Sequence, residues 1–150
     1  MENKGIIAGI IVIIFLGVIL VVTNRPVENS RSYDSTTASN GGLTSLIKET
    51  VKPGSGDRQV QVGDQIEVHY VGTLKDGKKF DSSRDRNQPF DFIVGQGVIE
   101  GWSEGVVGMS LDEIRKLSIP SNLGYGPNGT TGIPGGSDLY FEIELLKFLN

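Results

Sequence analysis

From Gly5 to Val22 the chain reads GIIAGIIVIIFLGVILVV, eighteen residues without a charge. A helix of that length runs about 27 Å, close to the ~30 Å hydrocarbon core of a bilayer. It offers no polar face to water, so a buried helix of a soluble protein fits it poorly. A secretory signal has a shorter apolar core, about 7 to 15 residues, and a small-residue cleavage site. Here Val21, Val22 and Thr23 run straight into Asn24 and Arg25. Residues 1–23 are therefore expected to be an uncleaved transmembrane anchor, with a cleaved signal as the alternative. Lys4 on one flank is opposed by Arg25 and Arg31 on the other, which leaves the topology open.

That segment takes a large share of the apolar residues, which make up 37% of the chain, so the remaining core must be small. A length of 150 residues suits one folded domain with appendages. The stretch TNRPVENSRSYDSTTASNGG, Thr23 to Gly42, has almost nothing to bury. Residues 24–42 are expected to be a flexible polar linker, reaching about 25 Å as a random coil. The folded domain is expected at residues 43–150.

Charge and composition exclude several chemistries. The 14 basic and 18 acidic residues, net −4, are spread without long runs, so no nucleic-acid partner is expected. The absence of cysteine excludes disulfides, thiolate nucleophiles and cysteine-held metal. A single histidine excludes a histidine-rich metal site.

In Gln65 to Thr73, Ile66, Val68 and Tyr70 alternate with Glu67, His69 and Val71, the period-two pattern of a half-buried strand with Tyr70 toward the core. Lys75-Asp76-Gly77-Lys78 predicts a hairpin turn in which Asp-Gly supplies the positive-φ residues. Further strands are predicted at 79–82, 90–94, 113–119 and 139–148. Ile99, Trp102 and Val106 fall at helical spacing and predict one short helix over 99–107, with Gly108 suited to stop it. The expected fold is α+β: a twisted antiparallel sheet curled over one short α-helix, preceded by the single transmembrane helix and its tether.

A nucleophile-and-base hydrolase would need His69 as base, but the alternation places that side chain opposite the core, as an exposed strand histidine. Gly95-Gln96-Gly97 lacks the lysine and the following Ser/Thr of a phosphate loop. Tyr70, Phe80, Phe90, Phe92, Trp102, Tyr125, Tyr140 and Phe141 form an aromatic set that fits either a core or an apolar ligand cup with a polar rim. Asp81, five residues before Arg86, fits either a turn carboxylate or a partner for that arginine. Asn128-Gly129-Thr130 fits a glycosylation acceptor.

The run DGKKFDSSRDRNQPF, Asp76 to Phe90, closely resembles the FKBP-type (macrolide-binding) peptidyl-prolyl cis/trans isomerases. VIEGWSEGV, GYG and YFEIELL follow in the order of that family, so the resemblance covers nearly all of residues 43–150. It implies catalytic roles for Tyr70, Phe80, Asp81, Trp102, Tyr125 and Phe141, with Arg86, Phe90, Val98, Ile99 and Ile133 binding substrate. Trp102 resembles the floor on which the proline ring rests. The Ile99 N–H and Tyr125 hydroxyl resemble donors to substrate carbonyls, Arg86 the partner holding Asp81, and Ile133 the isoleucine of the rim.

The activity implied is rotation about X-Pro bonds of protein substrates, without cofactor or metal. Macrolides such as tacrolimus or rapamycin are implied as ligands, and a monomer held at a membrane is expected. The alternative is a non-catalytic proline- or macrolide-binding module on the same tether. Val94 to Val98 is one residue shorter than the family pattern, and the loop after Tyr125 is shortened too. There Gly135-Gly136 replaces the usual Pro-Asn, so that loop is expected to be looser.

The anchor reading makes a direct prediction about processing. Mass spectrometry of the mature protein should find Met1 or Glu2 at its N-terminus. A mature chain beginning between Thr23 and Gly42 would mean a cleaved signal instead.

Overall fold

The computed structural model describes residues 41–150, together with two short strands, β1 (Ile14–Phe15) and β2 (Val18–Ile19), which pair antiparallel. The transmembrane helix expected over residues 1–23 otherwise lies outside the described residues, as does the linker up to residue 40. At the four described positions the backbone is extended rather than helical, a conformation that isoleucine and valine also favour. Among the described residues no helix is long and apolar enough to cross a membrane.

The folded part is built on β5 (Gln65–Thr73), whose alternation is the one predicted: Ile66, Val68, Tyr70 and Gly72 are buried and the intervening residues are half-buried. β10 (Leu139–Phe148) pairs with β5 along nearly its whole length, from Tyr140 opposite Thr73 to Phe148 opposite Ile66. On the other side of β10 lies β9 (Ile114–Ile119), and beyond it β3 (Ile47–Lys52) forms one edge of the sheet. At the opposite edge β5 serves two strands in succession. β6 (Lys79–Ser82) pairs with its C-terminal half and β7 (Phe90–Ile93) with its N-terminal half. Residues 83–89 leave the sheet between them. β4 (Ser55–Gln59) and β8 (Ser110–Leu111) form a separate two-stranded pair.

Among the described residues every strand pairing is antiparallel, and one α-helix, α1 (Glu100–Val106), packs on the sheet, in agreement with the α+β expectation. Ile99 is its N-cap and offers no side-chain cap, while Glu100 places a negative charge at the positive end of the helix. Gly108 follows with φ of 82°. The turn at Asp76-Gly77 differs from the expectation. Only Gly77 has positive φ, and the Leu74 carbonyl accepts from the Gly77 N–H while the Leu74 N–H donates to the Lys78 carbonyl. That is a type I turn closed by a left-handed glycine, and Asp76 contributes by accepting the Lys78 N–H at 2.9 Å.

The core lies between the inner face of the sheet and α1: Ile66 and Val68 from β5, Leu117 and Ile119 from β9, Ile143 and Leu145 from β10, and Val106 from the helix. The helix approaches β9 closely because two of its residues have no side chain. A Cβ on Gly101 would lie 2.4 Å from Ile119 Cγ2, and one on Gly105 would lie 2.3 Å from Leu117 Cδ1. Trp102 and Val106 follow these glycines and are themselves buried. The seating of the helix thus fixes where the tryptophan stands.

Gly101→Ala tests this seating, because two effects oppose each other. Alanine is favoured over glycine inside a helix by ~1 kcal/mol. Ile119, however, is fully buried and β-branched, so its Cγ2 cannot yield without leaving its rotamer, and overpacking typically costs about 1–3 kcal/mol. A lowered urea midpoint is expected. An unchanged or raised midpoint would show that the helix is free to lift.

Candidate active site

The rings of β5, β6, β7, β10 and α1 converge on Trp102. Tyr70 and Phe141 stand edge-on to it, with centroids at 5.0 and 5.2 Å and interplanar angles of 82° and 85°. Phe90 stands 6.0 Å away at 72°, and Phe80 packs edge-on against Phe141 at 5.5 Å. Edge-to-face contacts set the positive rim of one ring against the negative face of the next, so the rings hold each other upright. The enclosed cleft has a volume of about 450 Å³ and is lined by Tyr70, Phe80, Asp81, Phe90, Gly97, Val98, Ile99, Trp102, Tyr125 and Phe141. That is the size and character of a small-ligand pocket.

A polar cluster occupies one side of this cleft. Tyr70 donates its hydroxyl to Asp81 Oδ2, and Arg86 donates Nη1 to Asp81 Oδ1. Arg86 Nη2 also donates to the Tyr70 hydroxyl at 3.0 Å, and the Ser82 N–H donates to Asp81 Oδ1 at 2.8 Å. Burial alone would raise the Asp81 carboxyl, but the hydrogen bonds from Tyr70, Arg86 and Ser82, with the charge of Arg86, hold it below the usual carboxylate range. Burial pushes the Tyr70 phenol upward, and its bond to Asp81 adds to this while Arg86 opposes it. At neutral pH, Asp81 is an anion and Tyr70 a neutral donor.

Nine of the eleven residues singled out from the sequence therefore line one cleft. Arg86 is set beside it, holding Asp81. Ile133 is not among the lining residues: it is 5% exposed, packs in the core, and exchanges backbone hydrogen bonds with Thr130. Phe92 is buried beside Trp102, and Tyr140 lies on the opposite face of the sheet.

The loop after Tyr125 is closed rather than loose. Besides the Thr130–Ile133 pair, the Gly136 N–H donates to the Gly126 carbonyl at 2.8 Å. A Cβ on Gly135 would lie 2.0 Å from the Pro127 carbonyl oxygen, so this glycine lets the two strands of the loop meet.

His69 departs from the expectation of an exposed side chain. It lies on the outer face as predicted but is half-buried, with Nδ1 3.0 Å from the Ser83 hydroxyl. Ser83 is fully buried and its hydroxyl accepts the Tyr70 N–H at 2.8 Å. Residues 83–89 leave the sheet just there, and Ser83, the first of them, sets its hydroxyl against the histidine.

Two contributors were missed. Gly97 lines the cleft, and Gly72 permits it to close, since a Cβ there would lie 2.7 Å from Phe80 Cζ and 2.8 Å from Phe141 Cε1. The alternation of β5 already placed position 72 on the core face, where a glycine signals close packing by its neighbours.

The Asp81 cluster has a consequence for stability against pH. A carboxyl whose pKa is lowered by folding contributes stability above its unfolded pKa and loses it as pH falls through the folded value. The stability gap between wild type and Asp81→Asn should be largest at neutral pH and shrink on acidification below about pH 4. It should be modest throughout, because the Asp81 side chain is 41% exposed. A gap that persists unchanged at about pH 3 would place the effect elsewhere than in the ion pair.

Residues 56–146 match the family described as FKBP-type peptidyl-prolyl cis-trans isomerase. FK506-binding protein 2B of Rhizopus delemar is 50% identical over 104 residues, which cover 67% of this chain and 50% of that protein. FK506-binding protein 1A of Neurospora crassa is 49% identical over 106 residues, covering 69% of this chain and 88% of that protein. Among solved structures, FkpA from Escherichia coli superposes with a TM-score of 0.64 at 41% identity, covering 75% of this chain and half of that one. The match extends from β4 through most of β10 and contains every residue that lines the aromatic cleft: the chain belongs to the FKBP-type peptidyl-prolyl cis-trans isomerases.

Proposed function

We propose that this protein accelerates rotation about X-Pro bonds of polypeptide substrates within the cleft floored by Trp102. The observation that carries this reading is the ring enclosure itself, with the Tyr70–Asp81–Arg86 cluster on one side of it. The imide bond resists rotation by ~18 to 20 kcal/mol because resonance keeps it planar and charge-separated. Water stabilises that planar form by hydrogen bonding to the carbonyl. Transfer into an aromatic cup removes those bonds, and a cup that fits the twisted imide better than either planar isomer lowers the barrier further.

In this reading the proline ring rests on Trp102 between Tyr70, Phe80, Phe90 and Phe141. Val98 and Ile99 form the margin on the helix side. The Ile99 N–H precedes the first turn of α1, where backbone donors have no intrahelical acceptor, and it receives a substrate carbonyl, as does the Tyr125 hydroxyl. Arg86 holds Asp81, which with Tyr70 keeps the other margin ordered. Ile133, buried within the loop after Tyr125, supports that loop through its pairing with Thr130. Macrolides such as tacrolimus or rapamycin occupy the same cup.

Residues 1–23 anchor the protein in a membrane and 24–42 tether a monomeric domain that serves proline-containing proteins near that surface. The length and uncharged character of Gly5 to Val22 support this part of the reading.

A protease-coupled isomerisation assay with a panel of X-Pro peptides, on the full chain and on residues 43–150, tests the proposal. Both forms should accelerate isomerisation. Phe80→Ala should lose more than about tenfold in kcat/KM, ~1.4 kcal/mol of transition-state stabilisation, by admitting water to the imide. Asp81→Ala should lose less, and His69→Ala little. Tight binding of proline peptides or macrolide without any rate enhancement would identify a binding module instead.

A further inference from the structure

We infer that Arg115 is a positioning residue of this site, gripping the C-terminal carbonyls of α1 and so setting the height at which Trp102 floors the cleft. The inference rests on reading the cleft as the isomerase site. α1 has seven residues, and no basic residue of its own in its last turn. Its final carbonyls lack intrahelical partners. The Met109 N–H donates to the Val106 carbonyl at 3.0 Å and Lys48 Nζ reaches the Glu104 carbonyl at 3.5 Å, while Arg115, on β9, takes the other two: Nη1 donates to the Gly105 carbonyl at 2.9 Å and to the Val107 carbonyl at 3.0 Å.

The guanidinium is itself held fast. Nε and Nη2 donate to Glu113 Oε1 at 2.8 and 2.7 Å. The same carboxylate accepts the Ser110 N–H at 2.9 Å and the Thr50 hydroxyl at 3.1 Å. Arg115 is 8% exposed and Glu113 5%, so the pair lies inside the protein and its geometry is fixed by bonds on every side.

Stability alone does not account for this pair. Burying two charges costs several kcal/mol per ion, and an apolar replacement of similar volume is often neutral or stabilising. An apolar pair cannot direct an N–H at two helix carbonyls, whereas the planar, always charged fork of arginine can. Placement along β9 points the same way. Ile119 meets Gly101, Leu117 meets Gly105, and Arg115, next on the same face, takes the carbonyls where the helix ends. Three successive inner-face side chains of one strand therefore seat the helix, and only the last does so with directional bonds. Arg115 does not line the cleft, but the element it holds carries Trp102 and is entered through Val98 and Ile99.

The test uses the full-length chain and three variants, Arg115→Met, Arg115→Lys and the double Glu113→Gln/Arg115→Met, each measured for kcat, KM, urea midpoint and the emission of Trp102, the sole tryptophan. Arg115→Met should lower kcat about tenfold to a hundredfold with less effect on KM, since a shift of the floor spoils transition-state fit. Its Trp102 emission should move to the red. Arg115→Lys should recover part of kcat.

The double variant has no unpaired buried carboxylate, so it should regain most of the urea midpoint but neither kcat nor emission. It keeps the test decisive if Arg115→Met alone does not fold. Wild-type kcat and emission in the double variant would overturn the inference, as would a kcat that merely follows the urea midpoint with emission unchanged. If wild type binds proline peptides without turning them over, the isomerase reading fails, while Trp102 emission and peptide Kd still report whether Arg115 sets the floor.

Discussion

The contact on which the rest of the structure depends is the close seating of α1 on β9. Two glycines bring the helix backbone within reach of Ile119 and Leu117, and no other residue type would allow that approach. Trp102 follows the first of these glycines, so its depth beneath the cleft is set by backbone proximity rather than by the length of its own side chain. Once the indole is placed, Tyr70, Phe90 and Phe141 must meet it edge-on, and Phe80 must meet Phe141. Gly72 makes a similar allowance in the sheet, leaving room for Phe80 and Phe141 to close over it. The cleft is thus made by what three small residues omit as much as by what the aromatic rings supply.

Polar groups around this cleft divide into two sets with different work. Tyr70, Asp81 and Arg86 satisfy one another at the margin, so no member needs a partner from a ligand to stay in place. Arg115 and Glu113 do not line the cleft and satisfy backbone groups of α1 and the turn at Ser110. Neither set delivers a nucleophile or a general base to the interior. What remains inside is an apolar surface, and that is the property an imide rotation needs: the bond has only to lose its resonance, not to exchange an atom.

Much of this was legible from residues alone, for definite reasons. The alternation of Gln65 to Thr73 named the strand and its core face, and β6 and β10 fell where their patterns predicted. On residues alone the aromatic set favoured a core and Asp81 a turn role, and only the family resemblance turned both toward a ligand site. β3 was missed because all six of its residues are exposed, and β4 because SGDRQ has no apolar residue to alternate. The value of Gly101 and Gly105 lies in their nearness to Ile119 and Leu117 of β9, which no local pattern shows. Glu113 and Arg115 were not singled out within the strand predicted at 113–119, since nothing local shows that a helix end will be placed over them. His69 was assigned to the correct face, but its contact with Ser83 was not foreseen, because it depends on where the chain leaves the sheet after β6.

The central claim is that the cleft acts through shape and exclusion of water, with no group changing its protonation. The most direct measurement is the pH profile of kcat/KM. Asp81 is held below the usual carboxylate range and Tyr70 above the usual phenol range, so both keep one state throughout the neutral region. The account predicts a profile nearly flat from about pH 6 to 8, where unperturbed carboxylates and tyrosines do not titrate either. A steep dependence across that range that disappears in His69→Ala would contradict it, showing that a proton transfer, rather than the aromatic enclosure, governs the rate.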